Sequence, residues 1–178
     1  TLRSELVGRG VVHRFIYSPV GPWAIHLIEV ELDRCLSAVA VKGGAGAVGR
    51  EKTSALLGNL ARSATVLGGV NADFFLFAPP GVPTGALIAR GRVIAGPSSQ
   101  PVLAFDSAGL PHLLQLTASG AATIGGQRFA LQGWNRAVPG GLALFDSGWG
   151  TAMDTVSASV KVILGPGSAP MVQEVDTA

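Results

Sequence analysis

Residues 51–75 read EKTSALLGNLARSATVLGGVNADFF, and the hydrophobic period changes within them. Ala55, Leu56, Leu57, Leu60, Ala61 and Ala64 recur at helical spacing and fall on one face, with Thr53 or Ser54 placed to cap its start. Gly68-Gly69 closes that pattern. Val70 to Phe75 then reads as an apolar strand interrupted by Asn71 and Asp73. Strand alternation would place those two side chains on one face, with Ala72 and Phe74 on the other.

Outward from this helix-then-strand segment, the remaining apolar runs are short and β-rich. Upstream, 11–17 and 23–32 flank the turn Ser18-Pro19-Val20-Gly21-Pro22 in the manner of a hairpin, 35–41 follows as a third strand, and Gly43-Gly44-Ala45-Gly46 is a loop. Downstream, after a loop at 78–83, β segments are expected at 86–89, 93–95, 102–106, 110–116, 128–134, 142–145, 159–164 and 171–175, separated by glycine turns. One helix among many strands predicts an α+β fold: a mixed, mostly antiparallel sheet of several short strands with one main helix packed on one face. Residues 1–178 are expected to form a single domain.

Composition narrows the function classes. Gly and Pro together make up about a fifth of the 178 residues, high for a globular chain but below the level of a disordered one. Charged residues are only 13%, so the pI of 9.1 reflects a net charge of +2 among few charges and not a basic surface; no nucleic-acid partner is expected. The lone Cys35 excludes an internal disulfide and a multi-cysteine zinc site. No apolar run is long enough for a membrane span. The first residue is Thr1, not Met, so the chain is expected to begin after a processed or trimmed segment.

Candidate chemistry is sparse. Asn71 and Asp73 lie beside a Gly/Pro loop, where a carboxylate and a carboxamide would bind a polar ligand or, alternatively, satisfy backbone N–H groups of the following turn. His13, His26 and His112 share no ligand spacing, so neither a metal centre nor any other cofactor is expected, and His26 reads as a structural histidine on its strand. Ser147 lacks the Gly-x-Ser-x-Gly elbow of a hydrolase nucleophile. Trp23, Trp134 and Trp149 offer either sugar-stacking faces or core packing.

The segment Gly69-Val70-Asn71-Ala72-Asp73-Phe74-Phe75 resembles the phosphodiester glycosidase family, whose animal member uncovers mannose phosphate tags by removing N-acetylglucosamine. The resemblance extends over about residues 11–165. It includes Gly21-Pro22-Trp23 with the strand that follows, Gly49-Arg50-Glu51 with Ser54, Pro83-Thr84-Gly85, and Gly91-Arg92-Val93-Ile94. It continues through Ala104-Phe105-Asp106 with Gly109, Leu131 through Asn135, and Leu142 through Gly150.

The resemblance implies hydrolysis of a sugar 1-phosphodiester, with a carbohydrate or sugar-phosphate ligand and a secreted or cell-envelope setting. Asp73 would be the catalytic carboxylate near the anomeric carbon. Asn71 and Asn135 would bind sugar hydroxyls, and Arg50 or Arg92 would face phosphate. The family's Arg-Thr-Ala-type segment and its later Asp-Gly-Gly-Gly-Ser motif do not occur in this sequence. The domain is therefore expected to be incomplete and to be finished by a second chain or a missing segment, with an exposed strand edge near 159–175. The alternative is a non-catalytic carbohydrate-binding or envelope module of the same fold.

Overall fold

The computed structural model describes residues 2–32, 35–44 and 46–150 with their side chains, and the backbone of 160–164 and 172–177. Residues 2–30 form an antiparallel meander of β1 (Leu2–Gly8), β2 (Val11–Ser18) and β3 (Trp23–Val30), in the order β1-β2-β3. The β-branched and aromatic residues of VVHRFIYS and WAIHLIEV make these runs natural strands. Pairing runs from Val11↔Val30 to Ser18↔Trp23, as expected of a hairpin closed by 19–22.

Small two-stranded sheets follow the helix α1 (Thr53–Leu60). They are β4 (Phe75–Phe77) with β5 (Pro80–Pro83), β6 (Leu87–Ala89) with β7 (Arg92–Ala95), β8 (Val102–Phe105) with β9 (Pro111–Leu114), and β10 (Ala121–Ile124) with β11 (Gln127–Ala130). The pair β12 (Gly133–Trp134) and β13 (Ala143–Leu144) is parallel, and β14 (Val160–Leu164) pairs antiparallel with β15 (Val172–Thr177). Gly125 and Gly126, both at positive φ, make the left-handed turn that a two-residue hairpin requires; Arg90 and Gly91 make another.

This arrangement corrects the expected α+β fold. Among the described residues the chain is mostly strands in small antiparallel sheets with one short helix, about 5% helical, and that helix is not a main element packed on a sheet. The apolar period around residue 56 is present, yet the local requirements for a long helix are missing. Lys52 occupies the N-cap without a side-chain bond, the first turn has no acidic residue, Gly58 weakens the interior, and no residue of α1 is buried. Thr53 is inside the helix and does not cap it; Ala61 is the C-cap and Ala64 lies beyond.

Several strand assignments also shift. Residues 35–41 form no strand, and 70–74 are irregular, so Asn71 and Asp73 are loop residues and strand alternation does not govern where they point. The expected loop at 78–83 contains β5, whereas β1 and β10 were not anticipated. At the C-terminal end, β14 and β15 take one edge of each other; the expected positions 159 and 171 lie outside the described residues.

The core is small. Ala47, Val82, Ile94 and Trp149 are buried together, with Val48, Leu87, Ala89 and Phe145 packed around them. Phe145 meets Trp149 edge to face at 5.0 Å. Segments distant in sequence reach this core because their backbones touch. Ala47 N donates to Gly148 O at 2.8 Å and Gly49 N to Pro80 O at 2.8 Å. Gly81, at φ +83°, lies so close to Gly49 that a Cβ there would come within 2.0 Å of the Gly49 carbonyl oxygen.

Candidate functional site

Asp73 sits in the irregular lead-in to β4, and the two strands that follow bring the chain back past it. Its Oδ1 accepts from the Phe74 N–H at 2.7 Å, and its Oδ2 accepts from the Gly85 N–H at 3.0 Å. Thr84 Oγ1 lies 3.5 Å from Oδ1, 3.1 Å from the Phe74 carbonyl and 3.4 Å from Gln100 Oε1. The carboxylate thus fastens the start of β4 to the segment after β5, while the residue stays exposed to solvent. Phe74, next to it in the chain, is 80% exposed, so an apolar side chain stands at the surface beside a fixed negative charge.

The cation coupled to Asp73 is Arg136. One of its terminal nitrogens, Nη2, reaches the carbonyls of Gly85 at 3.0 Å, Pro83 at 3.2 Å and Gly96 at 3.3 Å. Burial lowers the Arg136 pKa below its ordinary value, and the Asp73 charge opposes that shift. Arg136 Nε is buried and has no hydrogen-bond partner among the described residues. The guanidinium therefore holds in place the loop whose Gly85 N–H binds Asp73. Sequence reasoning missed it because nothing in the Asn135-Arg136 dipeptide shows that the arginine turns inward.

A second polar cluster lies at the end of β13. Asn135 is fully buried at φ +47°, and its backbone N–H donates to Leu144 O at 2.8 Å. Its Nδ2 donates to Val93 O at 3.1 Å and to Asp146 Oδ1 at 2.7 Å, and its Oδ1 accepts from the Asp146 N–H at 2.9 Å. Asp146 also accepts from Trp134 Nε1 at 3.0 Å and from the Gly148 N–H at 2.7 Å. Burial pushes the Asp146 carboxyl up, but hydrogen bonds from Asn135, Gly148 and Trp134, with the nearby Arg92 charge, outweigh it and leave the pKa below the ordinary value. Arg92 Nη2 donates to Ser147 Oγ at 2.9 Å.

The five residues singled out from sequence are thus dispersed. Asp73 belongs with Thr84, Gly85 and Arg136; Asn135 and Arg92 belong with Asp146 and Ser147. Asn71 accepts a hydrogen bond from Thr53 Oγ1 and ties the 70–74 loop to α1. Arg50 is exposed at the end of the loop that packs against β5. Of the tryptophans, Trp149 is in the core, whereas Trp23 is 64% and Trp134 36% exposed. Gly96 joins the two clusters, since its N–H donates to Trp134 O at 2.8 Å while its carbonyl accepts from Arg136.

An open cleft of about 530 Å3 lies elsewhere, on the β1–β3 sheet, lined by Arg3, Ser4, Glu5, His13, Phe15 and His26 and by none of the residues around Asp73. No described helix is long and apolar enough to cross a membrane. Compared with protein-family models, with curated proteins and with solved structures, the chain matches none.

Proposed function

We propose that the chain hydrolyses a sugar 1-phosphodiester at the surface formed by residues 71–85, in a secreted or cell-envelope setting. The observation that carries this reading is the exposed Asp73 carboxylate, held rigid by the Phe74 and Gly85 N–H groups beside the Arg136 charge. Departure of a phosphomonoester needs little protonation, because the leaving group is already a stable anion. What the reaction demands is a negative charge near the positive anomeric carbon and cationic or N–H donors around the departing phosphate. Asp73 supplies the first. Asn71, exposed on the same loop, offers a carboxamide to sugar hydroxyls; of the two arginines expected to face phosphate, Arg50 is exposed at the end of the loop that packs on β5, whereas Arg92 belongs to the separate Asp146–Ser147 cluster. Asn135, with its side chain consumed inside the protein, positions Asp146 and with it the Arg92–Ser147 pair.

A second reading, a non-catalytic carbohydrate-binding module, is favoured by one observation: both Asp73 oxygens already accept backbone bonds, while the adjacent Phe74 presents an exposed aromatic ring. Release of sugar from a hexosamine 1-phosphodiester separates the two. Hydrolysis predicts turnover by the unaltered chain and a loss of at least about 100-fold in Asp73→Asn. Turnover that survives the substitution contradicts the role given to Asp73. Sugar binding without turnover supports the module instead.

A further inference from the structure

The β1–β3 sheet brings together two histidines that lie 13 positions apart in sequence. Register places Arg3, Phe15 and His26 in one cross-strand row and Glu5, His13 and Ile28 in the next, all on one face. His13 Nε2 and His26 Nδ1 are 2.9 Å apart. The rings are nearly parallel, 5° apart, yet their centroids stand 5.2 Å from one another, so they meet edge to edge with the two nitrogens aimed at each other and are not stacked face to face. Both line the open cleft with Glu5 and Arg3. His26 is exposed, and its bond to His13 and the contact of its ring with Phe15 give it the partners expected of a satisfied strand histidine.

We propose that this pair is a chelating site for a late first-row divalent ion, copper, nickel or zinc in class, with Glu5 as the carboxylate within reach. Two imidazole nitrogens bound to one such ion, each at about 2.05 Å, stand about 2.9 Å apart at right angles and about 3.3 Å apart in a tetrahedron. The observed separation already matches the bite of that chelate. The hydrogen bond between the rings needs one N–H and one bare nitrogen; as the ion enters, the donor ring's proton moves through solvent to that ring's other nitrogen, so both imidazoles stay neutral and both facing nitrogens donate lone pairs. The two nitrogens now point along the line between them, so each ring must turn by about 45° to converge on an ion at the cleft mouth, where His26 is exposed and His13 half-buried and the open cleft leaves room for water ligands. Among the described residues no three His, Cys, Asp or Glu side chains already converge on a metal position. The site is accordingly a two-imidazole chelate that Glu5, directly opposite His13, joins on binding. Arg3, in the row of His26, is the nearby charge that opposes it. This inference is independent of the sugar-phosphate reading.

The test uses the unaltered chain with Cu2+ and Ni2+, and Mg2+ as a hard-ion control. Titration calorimetry should show one Ni2+ per chain, and no response to Mg2+. The electron-spin spectrum of the Cu2+ form should carry hyperfine splitting from two imidazole nitrogens. His13→Ala and His26→Ala should each weaken Ni2+ binding by at least about tenfold, Glu5→Gln by less, and Arg3→Gln should strengthen it. His112→Ala and Cys35→Ser should change nothing. Equal affinity in the chain lacking both histidines, or splitting from a single nitrogen in the unaltered chain, overturns the proposal; the second measurement stands even if a histidine variant fails to fold.

Discussion

Asn135 shows how a polar residue that looks like a ligand group becomes part of the scaffold. It takes a left-handed backbone conformation, is fully buried, and spends both ends of its carboxamide on Val93 and Asp146. Asp146, in turn, links to Trp134 and Gly148. Because the folded carboxyl has a lowered pKa, it contributes stability that is fully present above its ordinary value of 3.8 and is lost as pH falls through the lower folded value. Urea unfolding of the unaltered chain and of Asp146→Asn should therefore differ most near neutral pH and converge well below pH 3.8. Asp106, whose carboxyl is likewise lowered through its bond to His112, is common to both proteins and cancels in the comparison. A difference that stays constant across that range contradicts the network. In sequence Asp73 had two readings, ligand group and turn-binding carboxylate, and the structure shows the second geometry in an exposed setting. Asn135 carried no sign of burial, because a strand-end amide looks the same whether the backbone turns it in or out.

At the level of elements, the strands were legible where β-branched and aromatic residues cluster between glycine turns, as in β2, β3 and the 86–95 hairpin. The His13–His26 contact was missed in sequence, where the histidines share no ligand spacing; the register that sets them two residues off direct opposition comes from centring the hairpin on the turn at 19–22. The helix was over-read, since an apolar period without a cap, with Gly58 inside and no buried face, supports only two turns. What joins the elements is backbone contact at glycines, and two substitutions separate that role from ordinary propensity. Gly58 has open space around it, so Gly58→Ala should stabilise by about 1 kcal/mol. Gly81→Ala adds a Cβ 2.0 Å from a carbonyl oxygen at φ +83°, and should destabilise by about 3 kcal/mol in urea unfolding. A Gly81→Ala chain as stable as the parent would show that the 43–51 loop does not dock on β5.

Across the whole molecule, the buried apolar cluster is small against the apolar surface left open. Among the described residues only six hydrophobic side chains are buried, while Leu2, Leu6, Trp23, Ile25 and Leu27 on one face of the β1–β3 sheet are each at least 40% exposed. The extensive strand contacts all fall within individual sheets, so the sheets are held to one another by loops and by the core around Val82 and Trp149. None of this was visible in sequence, where apolar content alone suggests a large shared core; burial depends on which faces meet, and short strands in separate pairs bury little. The functional account depends on a narrower point, that a sugar phosphate contacts the Asp73 surface. Titrating N-acetylglucosamine 1-phosphate into the 15N-labelled chain tests it most directly. The account predicts shift changes centred on the Phe74 and Gly85 amides, the two that bind the Asp73 carboxylate, and their loss in Asp73→Asn; amides at 74 and 85 that do not move at saturating ligand would contradict it.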